Sequence, residues 1–126
     1  MVVDASVLVD LLAGTDLAAP VRTRLAGAVL HAPAHLDAEV LSALGRLCRA
    51  DVLGKAHTES AIDALAQVPL TRHPLPELLR GAWARQDYLR LTDALYVELA
   101  ERLRMPLLTT DLRLARAASQ AEAITT

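Results

Sequence analysis

Phenylalanine is absent from the 126 residues, and the other aromatics amount to one tryptophan, Trp83, and two tyrosines, Tyr88 and Tyr96. A nucleic-acid surface built on several stacking aromatics is therefore excluded. The single cysteine, Cys48, cannot close an internal disulfide, and its place in an apolar helical stretch suits a small buried hydrophobe. No apolar run approaches the roughly 18 residues of a membrane span, and the opening residues read as a strand rather than a basic leader, so the expectation is a cytoplasmic protein. Strong charge of either sign is also missing: the formal net charge is −2. That balance alone does not advertise a nucleic-acid partner.

What is present is aliphatic. Hydrophobic residues make up 53% of the chain and charged residues 22%, which excludes disorder and fits one domain, residues 1–126, able to bury a core without metal or disulfide staples. The apolar pattern alternates between short strand-like and longer helical runs. Residues 1–3, 28–32, 68–73 and 106–110 read as strands, with 123–126 as a final edge strand. Helices are expected over 6–13, from Pro20 onward, and over 34–50, 57–67, 76–86, 92–104 and 111–119, with Gly14 stopping the first and Thr92 capping the sixth. Strands separated by helices imply a mostly parallel sheet of four to five strands, covered on both faces.

Within that pattern Asp4 stands out, because MVV runs straight into a carboxylate, and a buried carboxylate needs a proton or a partner. Polar sites of open parallel sheets lie beyond the carboxyl ends of the strands. Asp4 follows the first strand and Asp111 the fourth; Asp93 starts the helix before that fourth strand, and Glu39 lies early in the helix after the second. Taken singly, Asp93 and Asp111 also suit helix caps and Glu39 a solvated face. Four acids converging on one edge would repel one another unless cations lay between them, and an all-oxygen set favours Mg²⁺ or Mn²⁺ over zinc. Committing four of the 15 acidic side chains to such a site leaves 11 against 13 basic ones. His31, His35, His57 and His73 show no convincing pairing with one another or with Cys48, and read as surface or loop residues. Asp10, Asp37, Glu98 and Glu101 read as surface charges, with Glu98 and Arg102 one helical turn apart.

The segments VVDASVLVDLL, AEVLSALGRL, TDALYVELAERL and PLLTTDLRLA resemble, in order and spacing, the four acidic motifs of PIN-domain ribonucleases, and most of all the small bacterial VapC toxins. The resemblance spans nearly the whole chain. It implies a three-layer α/β/α sandwich and places the family's acidic quartet on Asp4, Glu39, Asp93 and Asp111, with supporting hydroxyls at Ser6 and Thr109. Thr92 stands where relatives often carry an aromatic or small residue, and the segment after Asp111 is short.

The resemblance further implies a metal-dependent endoribonuclease in which one or two Mg²⁺ or Mn²⁺ ions activate water for attack on an RNA phosphodiester. It also implies a homodimer and a cognate VapB-type antitoxin through which DNA would be contacted indirectly. Arg46 and Arg49 on the Glu39 helix, and Arg113 and Arg116 after Asp111, are candidates for holding the RNA backbone. The leucine- and alanine-rich helices from 34 to 67 have apolar surface for an interface. Two other readings fit the same residues: a PIN-fold RNA-processing nuclease without an antitoxin, and a catalytically silent interaction module.

Overall fold

A computed structural model describes residues 1–126. The strands are β1 (Val2–Val3), β2 (Leu30–Pro33), β3 (Leu70–His73), β4 (Leu107–Thr109) and β5 (Ala121–Ala123). The helices are α1 (Ala5–Ala13), α2 (Ala18–Leu25), α3 (Leu36–Arg49), α4 (Lys55–Gln67), α5 (Leu79–Trp83), α6 (Leu91–Leu103) and α7 (Leu112–Ala117), with a 3₁₀ turn over Pro76–Leu78 before α5. The strands form one all-parallel sheet in the order β3-β2-β1-β4-β5. Helices α1 to α4 pack among themselves on one side, while α6 lies along β1, β2 and β4 with α5 against it. This is the expected α/β/α sandwich. None of the helices is long and apolar enough to cross a membrane.

The aliphatic pattern explains the layers. Val2, Val3, Leu107 and Leu108 are fully buried in the two central strands, as parallel strands covered on both faces must be. Helix α3 presents Leu36, Val40 and Leu44 to the core at four-residue spacing, and α6 buries six of its 13 residues. Burying a side chain of this size stabilises by about 1.5–3 kcal/mol, so a core of this kind forms without aromatics; Tyr96 is the one large ring fully enclosed in it.

Several boundaries differ from those read in the sequence. Thr92 does not cap α6: Arg90, with extended backbone and no side-chain cap, takes that position, and Thr92 lies inside the first turn. Helix α2 begins at Ala18, so Pro20 is its third residue, still in the turn whose N–H groups lack intrahelical partners. The segment 76–86 is divided between the 3₁₀ turn and the short α5. The edge strand is 121–123 rather than 123–126, because the ladder follows Leu107–Thr109, each paired with one of those residues.

Candidate active site

The sheet order reverses at β1, whose neighbours are β2 and β4, and the register pairs Val2 with Leu107 and Val3 with Leu108. Asp4 therefore leaves the sheet beside Thr109, at the carboxyl edge and the switch point where open α/β sheets hold their ligands. A cleft of about 330 Å³ opens there. Its walls carry Asp4, Asp10, Glu39, Asp93 and Asp111 together with Arg46, Arg90 and Arg113, and Ser6 and Tyr96 also line it.

Asp4 is 5% exposed and caps α1, accepting the Val7 N–H at 3.3 Å. Its other partners are hydroxyls: Ser6 Oγ donates to Oδ1 at 2.5 Å and Thr109 Oγ1 to Oδ2 at 2.6 Å. Each hydroxyl also accepts from the loop that carries the next acid, Ser6 Oγ from the Thr110 N–H at 3.0 Å and Thr109 Oγ1 from the Asp111 N–H at 2.9 Å. Two short side chains thus lock the β1 and β4 exits together. Burial pushes the Asp4 carboxyl up to about 6, against the opposing pull of the Ser6, Thr109 and Val7 hydrogen bonds and with a smaller push from Asp111.

Asp111 caps α7 through Oδ1, which accepts the Arg113 N–H at 2.9 Å and the Leu114 N–H at 3.4 Å. Its Oδ2 accepts from Arg113 Nη2 at 3.0 Å. Asp93 lies in the first turn of α6, and Glu39, one turn into α3, accepts the Tyr96 hydroxyl at 2.6 Å. Tyr96 follows Asp93 by three residues and so shares its helical face. Burial, with the Glu39 hydrogen bond and charge, drives the Tyr96 phenol far above its ordinary range, which keeps it a neutral donor. His35 stacks on Tyr96 with ring centroids 4.6 Å apart. Its Nε2 donates to the Thr92 carbonyl at 3.0 Å and lies 3.4 Å from Glu39, while the buried Nδ1 has no partner.

All four acids of the expected quartet and Ser6 line this cleft, and Thr109, fully buried, supports it through its hydrogen bond to Asp4. Of the four arginines, Arg46 and Arg113 line it; Arg49, whose guanidinium lies against Gly45, and Arg116 do not. Arg90, Asp10 and Tyr96 belong to the cleft and were not singled out from the sequence. Asp10 is no free surface charge, since Thr110 Oγ1 donates to it at 2.5 Å and Thr15 Oγ1 at 2.7 Å. Its spacing of four from Ser6 on α1 is the signal that would have found it. Glu98 is also not a surface charge: its side chain, 12% exposed, accepts from Arg85 at 2.6 Å as well as from the expected Arg102 at 2.8 Å. Glu98 is held below its ordinary value because these two arginines outweigh the cost of its burial. His31 and His73, read as unpaired, face each other across β2 and β3 at 3.0 Å, and burial together with the facing imidazole holds His31 below its usual value.

The donor chemistry fits a hard divalent cation: carboxylate oxygens gathered at one edge, two of them already bridged by a positive group. That group is Arg113, whose Nη2 lies 3.0 Å from both Asp93 Oδ2 and Asp111 Oδ2. In this arrangement no three carboxylate, imidazole or thiolate groups surround a common point at ligand distance.

Comparison with known proteins agrees with this geometry. The PIN domain family matches residues 1–120. Ribonuclease VapC3 of Mycobacterium tuberculosis is 62% identical over 125 residues, covering 98% of this chain and 91% of the relative. Ribonuclease VapC1 of the same organism is 42% identical over 118 residues, covering 92% and 89%. Among solved structures, a chain of a toxin-antitoxin complex from Klebsiella pneumoniae shares the fold, with a TM-score of 0.69, 17% identity, and coverage of 98% and 97%. The sandwich, the acidic cleft at its switch point and relatives aligned over almost the full length lead to one assignment: the chain belongs to the VapC ribonucleases of the PIN-domain family.

Proposed function

We propose that the chain is a Mg²⁺- or Mn²⁺-dependent endoribonuclease acting as the toxin of a VapBC-type pair. The observation that carries this reading is the cleft that gathers Asp4, Glu39, Asp93 and Asp111 at the switch point among three arginines. Asp4, Asp93 and Asp111 would hold one or two divalent ions, with Glu39 as a further ligand or as the group aligning the attacking water. When bound, the cation supplies an activated water and neutralises charge building on the phosphate. Ser6 and Thr109 fix the Asp4 carboxylate through short hydrogen bonds, and Tyr96 fixes Glu39, so these two acids are oriented by their neighbours. Arg46 and Arg90, on the rim, would take RNA phosphates through their planar donor forks.

Membership of the VapC family supports a cognate VapB-type antitoxin and a homodimer. RNA is the substrate the charge pattern favours, because the arginines on the rim suit a backbone that the acids alone would repel. The testing experiment incubates purified protein with total cellular RNA and Mg²⁺ or Mn²⁺, beside EDTA and beside the Asp111→Asn and Glu39→Gln variants. Discrete fragments that require metal and disappear in both variants are expected. Fragments that persist in EDTA or in the variants would refute the carboxylate site, and inactivity of wild type with every metal would point to the interaction module.

A further inference from the structure

Among the features of the cleft, Arg113 has the least ordinary placement. It is the second residue of α7, its backbone N–H is tied to Asp111 Oδ1, and its side chain folds back so that one nitrogen serves the outer oxygens of both Asp93 and Asp111. Asp111 Oδ1 is committed to capping α7, which leaves Oδ2 as the oxygen of Asp111 free for a metal, and the guanidinium occupies it. Asp93 makes no other ion pair. Its side chain is only 16% exposed, whereas that of Arg113 is 47% exposed and borders open solvent. A carboxylate in such a place needs a counter-charge, while the arginine does not need the site to remain solvated.

We infer that Arg113 is an internal counter-cation that closes the metal-free site, and that a divalent ion binds by displacing its guanidinium from Asp93 and Asp111. This rests on the metal-dependent reading proposed above. Geometry supports competition: Arg113 Nη2 occupies an oxygen on each of two carboxylates, Asp93 and Asp111, that would hold a metal. Once displaced, the guanidinium remains tethered at the rim beside Arg46 and Arg90, where a phosphate is its natural replacement partner. Metal and RNA would then bind with positive cooperativity, since each removes what opposes the other.

The test is a Mn²⁺ titration of the nuclease without RNA, following loss of the free-ion paramagnetic resonance signal in wild type, Arg113→Gln and Arg46→Gln. Arg46 donates to Ser42 Oγ and pairs with no carboxylate, so its variant removes one positive charge from the same cleft without opening the bridge. Arg113→Gln is expected to tighten Mn²⁺ binding by about fivefold, the upper end for a solvent-facing ion pair, and clearly more than Arg46→Gln. As a second readout, saturating wild type with Mg²⁺ should shift the Arg113 Nε–Hε nuclear resonance. Equal effects of the two variants, or weaker binding in Arg113→Gln, would overturn the inference while leaving the metal site intact. Absence of Mn²⁺ binding in wild type and both variants would overturn the metal-dependent reading and this inference together.

Discussion

Replacing Asp4 with asparagine should stabilise the metal-free protein at neutral pH even as it abolishes cleavage. The carboxyl is 5% exposed, and burial raises its native pKa to about 6 from an ordinary 3.8. Between those values the native state binds more protons than the unfolded chain, so stability falls as pH rises. The contribution is fully present below the unfolded value of 3.8 and is lost as pH rises through about 6. At pH 7 the whole penalty, about 3 kcal/mol, is in force. Asparagine removes the charge but has one acceptor oxygen for the two hydroxyls, Ser6 and Thr109, and that loss costs about 1 kcal/mol. A net gain of about 2 kcal/mol corresponds to a melting temperature higher by roughly 4–8 °C for a chain of this size. The assay is thermal unfolding in EDTA from pH 4 to pH 8 for both proteins. Wild type should lose stability relative to the variant as pH rises, and Mg²⁺ should restore it to wild type alone. A variant less stable than wild type at pH 7 in EDTA, with no pH dependence in the difference, would refute the reasoning.

Other perturbations probe the supporting shell. Thr109→Val keeps the shape of a fully buried side chain but deletes the donor to Asp4; the pH step attributed to Asp4 should move upward, readable in the same unfolding series. Tyr96→Phe removes the hydrogen bond to Glu39 and should slow RNA cleavage about 10- to 100-fold, measured as initial rate, with stability changed by only about 1 kcal/mol. Gly81→Ala would press a methyl group into the Glu98 carboxylate, which Arg85 and Arg102 hold in place. A loss of about 1–3 kcal/mol is expected by denaturant unfolding, and it should shrink in a Glu98→Ala background if the two side chains are coupled.

The layered fold was legible because strand and helix periodicities here are unmixed: buried pairs such as Val2 and Val3 alternate with four-residue stripes such as Leu36, Val40 and Leu44. The carboxylate edge was legible for a related reason, since Asp4 and Asp111 lie immediately beyond strands that pair as neighbours. What escaped the sequence was information carried by side-chain direction rather than by position. Asp10 and Ser6 share one face of α1, and Tyr96 and Asp93 share one face of α6, so each unrecognised residue lay three or four positions from a recognised one. Nothing local marks His31 and His73 as partners, because they meet only as a diagonal contact between paired strands, His31 standing opposite Thr71 and His73 opposite Pro33. Arg49 and Arg46 shared one expected role, yet three residues along α3 and the turn of its backbone separate a cleft residue from one lying outside it. The reassignment of Thr92 has the same origin: α6 starts one residue earlier, with the extended Arg90 before it, and a threonine suited to a cap is then carried into the first turn.

The carboxylate-held hydrolytic site is tested most directly by cleaving a target RNA with Mg²⁺ in oxygen-18 water and analysing the new ends by mass spectrometry, with an EDTA reaction alongside. Hydrolysis by a water aligned over Asp4, Glu39, Asp93 and Asp111 should leave one oxygen-18 atom in the terminal phosphate monoester at each cut and give no fragments in EDTA. Ends carrying unlabelled 2′,3′-cyclic phosphate, formed equally with and without metal, would show that the ribose hydroxyl rather than water is the nucleophile and would contradict the assignment.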